Sequence, residues 1–149
     1  MTTSALTELF VRDLNRLVTE LEQYPSADQI WLLPTGINNS AGTLALHLVG
    51  NLQHFIGAVL GDTGYVRDRE AEFNDRNVPV HQLIQSINST IEVIDTVLGK
   101  LSSESLQSKY PLEVFGEPIS TIKFLIHLQG HLNYHLGQVN YHRRLLAHS

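Results

Sequence analysis

HLQGHLNYHLGQVNYH, His127 to His142, holds four of the chain's eight histidines, and three of them, His127, His131 and His135, stand four apart. A spacing of four sets side chains on one helix face. Eight histidines scattered over 149 positions would give roughly 0.4 such pairs. The stretch has two, His127/His131 and His131/His135. At about 100° per residue, Phe124, Leu128, Gln138 and Leu145 fall within about 60° of His131, and His127 and His135 within about 40°. The imidazoles therefore share the apolar stripe of a helix. Unpartnered buried ring nitrogens cost on the order of 1–3 kcal/mol each, so clustered ones point to a shared partner.

Outward from this stretch, Ser120 is placed to cap its helix, which runs to about Ala147. Upstream, Ser4 precedes a run in which Leu6, Phe10, Leu14, Leu17 and Leu21 recur every three or four residues, and Pro25 closes it. The periodicity predicts a first helix over about 5–23. Ser40 or Asn39 is placed to cap a second over about 41–60, with Leu44, Leu48, Leu52, Phe55 and Val59 as its stripe. A third follows Pro79, with Ile84, Ile87, Ile91, Ile94 and Leu98 marking its buried face. The charged stretch DTGYVRDREAEFNDRN reads as a loop. SSESLQSKYPLEVFGEPIS reads as a long connection with a short hairpin around Phe115 and Gly116. These elements predict an all-α, four-helix bundle forming one domain over 1–149, with long connections between helices two and three and between three and four. Such long connections make a crossover topology plausible.

Ten Lys and Arg against 15 Asp and Glu give a net charge of −5, the wrong sign for a protein that neutralises phosphates, so nucleic acid is excluded as a main partner. The absence of cysteine excludes disulfides, thiolate metal sites and a cysteine nucleophile. Glu8, Arg12, Asp13 and Arg16 interrupt the apolar N-terminal residues, unlike a signal peptide, and no later run reads as a membrane span. The expectation is a soluble, cytoplasmic protein with no membrane partner.

Two histidines at i and i+4 converge on one divalent cation, but three in a row do not, because His127 and His135 lie about 12 Å apart along the axis. One neighbouring pair can chelate, and a third ligand is expected from a facing helix. In the second helix, His47 and His54 share a face with Asn51 between them. About 10 Å separates the two, so at most one binds the same ion. The ordinary alternative is a set of satisfied core or surface histidines, which is the reading for His81, His142 and His148.

LALHLVGN on the second helix, followed far downstream by HLNYHLGQ on the last, resembles the DinB/YfiT-like superfamily of metal-binding four-helix proteins. His131, His135, Gly137 and Gln138 match its last-helix signature, H-x-x-x-H, one residue, then Gly-Gln. The resemblance implies metal ligands His131 and His135 with His47 as the third, leaving His54 and His127 as neighbours. It implies zinc or nickel, although imidazole ligands also suit iron, copper or cobalt. Three neutral imidazoles would leave an open coordination position. Gln138 is then a candidate to orient a ligand or bind substrate, Gly137 to give packing room, and Asn51 to support the ligands.

Several relatives in that superfamily are transferases that use a low-molecular-weight thiol: bacillithiol, mycothiol or glutathione. The expectation is therefore a metal-dependent S-transferase acting on an electrophilic small molecule. Arg67, Arg69 and Arg76 are candidates to pair with thiol carboxylates, although interleaved Asp68, Glu70, Glu72 and Asp75 favour a self-compensating charge run. The alternatives are a metal-dependent hydrolase, with Glu70 or Glu72 as base, and a non-catalytic metal-binding or ligand-binding stress-response bundle. A homodimer through Ile122 and Ile126 is also expected.

Overall fold

Serine side chains start two of the long helices. Ser40 Oγ accepts from the Thr43 amide at 3.1 Å, and Ser120 Oγ accepts from Lys123 N at 3.3 Å. Each satisfies a backbone donor that the first helical turn leaves without a partner. The computed structural model describes residues 2–147, so His148 lies outside the described residues. In chain order the helices are α1 (Thr2–Glu22), α2 (Ala27–Ile30), α3 (Ala41–Leu52), α4 (Val59–Gly61), α5 (Arg69–Asn74), α6 (Val80–Gly99), α7 (Ser103–Gln107) and α8 (Thr121–Leu146). A π-helical segment, Gln53–Ala58, joins α3 to α4. The protein is all-α, with no strand among the described residues and one isolated antiparallel bridge, Lys109 to Ser120. That bridge closes the excursion predicted around Phe115, where Gly116 takes a φ of 78°.

Three expectations about local structure and membrane spanning differ from the structure, besides those on burial given below. Ser4 lies inside the first turn of α1 rather than capping it. The charged stretch expected as a loop contains α5, whose start is capped by Asp68 Oδ1 accepting from Ala71 N at 3.0 Å. The third is membrane spanning: Ala41–Gly61 is long and apolar enough, with a mean hydropathy of 1.3, but 56% of that window is buried inside the protein. Its apolar residues serve as core.

Both α1 and α3 pack against α6 and α8, so the four long helices form a ring with α1 diagonal to α3. Polar pairs fix the directions. Asp13 meets Gln129 and Asn133, and Glu20 meets Asn140 and Arg143, so α1 and α8 run parallel. Gln53 donates to Thr90 while Gly61 faces Val97, so α3 and α6 also run parallel. Against α8, α3 is antiparallel: His47 meets His131, and Phe55 meets Phe124. The connection from α3 to α6 therefore runs back along the helices, whereas α6 is antiparallel to α8 and the connection between them stays at one end.

The first stripe is buried as read: Leu6, Phe10, Leu14, Leu17 and Leu21 all lie in the core. In the second, the wide π turn shifts the register, so Ile56 is buried where Phe55 was expected and Phe55 is only half-buried. Tyr110 hydroxyl donates to the Phe55 carbonyl at 2.6 Å and pins that turn. On α6 the buried line is Leu83, Ile87, Thr90, Ile94, Val97 and Leu98, with Ile84 and Ile91 at its margin. Asp13 is the deepest charge, fully buried, and accepts from Arg12 Nε (2.9 Å), Gln129 Nε2 (2.8 Å) and Asn133 Nδ2 (3.0 Å). Multiple donors are what a buried carboxylate requires.

Candidate metal centre

Antiparallel packing of α3 on α8 brings together His47, His131 and His135, each offering a ring nitrogen within 4.8 Å of the others. His131 Nε2 lies 3.2 Å from His47 Nε2 and 3.1 Å from His135 Nε2. The rings meet nearly at right angles, 80° for His47 with His131 and 88° for His131 with His135. Nitrogens about 2.0–2.1 Å from a tetrahedral ion stand roughly 3.3 Å apart. The trio is close enough to hold a metal ion.

The outer nitrogens explain the tautomers. His47 Nδ1 lies 3.2 Å from Glu72 Oε1, and Glu72 receives Arg67 through Nε (2.7 Å) and Nη2 (2.9 Å). A carboxylate held by a guanidinium is an acceptor, so His47 donates from Nδ1 and turns the Nε2 lone pair inward. His135 Nδ1 likewise donates to Gln138 Oε1 at 2.7 Å, with the same result. Two lone pairs therefore converge beside His131, an arrangement that a cation satisfies. Burial lowers the pKa of His47, and Glu72 only partly opposes this. Burial also lowers that of His131 to about 4, with His135, His47, His127 and Arg67 pushing the same way. Neutral imidazoles are the form in which histidine binds metal.

Glu72 reaches this position because residue 50 is glycine. A Cβ there would stand 2.0 Å from Glu72 Oε2, so the carboxylate rests directly against the α3 backbone. From the sequence, Glu72 and Arg67 read chiefly as members of a self-compensating charge run, with a hydrolytic base and a partner for a thiol carboxylate as their respective alternatives. Their mutual bond, with both side chains almost buried, is a tertiary contact. The one sequence signal was Gly50 itself, since a glycine inside a helix marks a close approach.

Other candidates lie outside the trio. His127 is exposed and its ring contacts Phe115 at 4.9 Å, while His54 is half-buried against Phe55 at 4.8 Å. Arg69 is exposed over the Phe73 ring, and Arg76 bonds backbone carbonyls of Phe73 and Asp75. Asn51 is buried on the His47 face, and its Oδ1 meets no hydrogen-bond partner among the described residues. Gly137 has open space around it rather than a packed neighbour, so helix packing does not require it. His142 is a satisfied core histidine, with Tyr24 hydroxyl 2.6 Å from Nδ1 and Leu32 carbonyl 2.9 Å from Nε2. His81 is exposed.

No curated protein matches the chain. A family model described as protein of unknown function, DUF1572, matches residues 5–149, and the chain belongs to that family.

Proposed function

We propose that this protein is a divalent-metal-binding four-helix bundle of the DinB/YfiT-like type that transfers a low-molecular-weight thiol to an electrophilic small molecule. The observation that supports it is the convergence of three imidazoles, two of which, His47 and His135, have their lone pairs turned inward by Glu72 and Gln138. The donor set is all nitrogen and neutral, which suits zinc or nickel and leaves room for a further ligand. A divalent ion held by His47, His131 and His135 supplies Lewis acidity, which favours the thiolate form of a bound thiol. The chain has no cysteine, so the sulfur nucleophile comes from the thiol cosubstrate.

Hydrolysis is the second reading, and it requires a base near the ion. Glu72 is held by Arg67 and His47, and α8 contains no carboxylate. Thiol transfer is favoured on that ground. We further propose a cytoplasmic homodimer paired through α8, whose outer face exposes Ile126, Tyr134 and Tyr141. Ile122 packs against the core, which leaves Ile126 as the contact of the expected pair.

Metal analysis of the purified protein tests the site: about one ion per chain is expected, and none in His131→Ala. Undiminished metal in that variant would remove the site. Incubating zinc-loaded and nickel-loaded protein with bacillithiol, mycothiol or glutathione and a chloronitrobenzene then tests transfer. Turnover with one thiol is expected; no turnover with any would leave the non-catalytic metal-binding bundle as the better reading.

A further inference from the structure

Each ligating imidazole needs an acceptor for its outer Nδ1–H, and these acceptors orient ring and tautomer. His47 has Glu72 and His135 has Gln138. His131 has none: its Nδ1 is buried with no hydrogen-bond partner among the described residues. Asn51 presents the complementary deficiency, a buried carbonyl oxygen without a donor, on a residue only 7% exposed.

Topology puts the two about one turn apart on facing helices. Asn51 lies one turn beyond His47 on α3, and α3 runs antiparallel to α8, with His47 opposite His131 and Phe55 opposite Phe124. Midway between His47 and Phe55, Asn51 faces the stretch of α8 that approaches His131. A buried ring nitrogen and a buried amide oxygen, neither with a hydrogen-bond partner among the described residues, thus lie about one turn apart on facing helices, where an unmade hydrogen bond is costly.

We infer that Asn51 is the positioning residue for His131, its Oδ1 accepting from His131 Nδ1–H directly or through one water when an ion is bound. The three ligands would then be held by three side-chain oxygens, from Glu72, Gln138 and Asn51. The inference rests on the metal reading above.

The test uses Zn²⁺ as the probe on the full chain. In zinc-loaded wild type, ¹⁵N-resolved NMR is expected to show His131 bound through Nε2 with a protected Nδ1–H. Asn51→Leu keeps the volume and removes the acceptor; it should expose that proton to exchange and weaken zinc binding about 10–100-fold. Asn51→Asp restores an acceptor and should recover both the protection and the affinity. His131 bound through Nδ1, or Asn51→Leu with unchanged protection and affinity, would overturn the role of Asn51 while leaving the metal site standing. If wild type binds no zinc, both fall. The wild-type spectrum decides even if Asn51→Leu does not fold.

Discussion

Gly50 and Glu72 occupy one space: the hydrogen that glycine carries in place of a Cβ is what lets the Glu72 carboxylate lie against α3 and reach His47. Gly50→Ala would drive the carboxylate away from both Arg67 and His47, although alanine favours the helix by about 1 kcal/mol. The expected result is zinc affinity weakened about 10–100-fold with a thermal midpoint little changed. Competition titration beside a melting curve reads both, and wild-type affinity in the variant would show that Glu72 does not support His47.

The metal-free protein should be acid-sensitive above the carboxylate range. The pKa of His131 is lowered from 6.5 to about 4, and that of His47 is lowered too, because burial favours the neutral ring. A depressed folded pKa means the unfolded chain binds protons first, so this stabilisation is full above about 6.5 and disappears as pH falls toward 4. Urea midpoints of chelator-treated protein should fall across that window, and less steeply in His131→Leu. A flat profile would contradict the burial of these rings.

Asp13 joins α1 to α8 through Gln129 and Asn133. Asp13→Ala removes the shared acceptor of half-buried Gln129 and exposed Asn133 and should cost about 1–2 kcal/mol, or roughly 3–8 °C in thermal midpoint. Metal content should be unaffected, because the site lies between α3 and α8. Loss of metal with unchanged stability would reverse this assignment.

His127→Ala and His54→Ala should each retain full metal content, since neither ring joins the trio. Elemental analysis beside His135→Ala, expected to lose the ion, provides the comparison; a deficit in His127→Ala would redraw the site.

Ile126→Asp places a charge on the outer face of α8 and should yield monomers where wild type sediments as a dimer. Wild type sedimenting as a monomer would refute pairing through this face.

Local signals were legible and long-range ones were not. Ser40 and Ser120 could be read as caps because a cap acts within three residues, and the α1 stripe could be read because its period is uniform. On α3 the period changes at Gln53, a consequence of packing with no distinctive residue to announce it, so Ile56 was missed for Phe55. The candidate trio needed the resemblance, because spacing alone left two possible pairs on α8 and two candidates, His47 and His54, upstream. Gln138 was legible as a partner through its position three residues after His135. Glu72 and Asp13 were read as ordinary charges, since their partners lie 25 and more than a hundred residues away.

Because His47 and His131 are 84 residues apart, no early fragment of the chain contains the full trio. Three-point chelation becomes available only after α8 has docked. Contacts of such sequence separation are slow to form, so on the proposed metal reading ion capture would mark the end of folding. A chain that ends before α8 carries His47 alone of the trio, and only the folded protein would then compete for scarce metal.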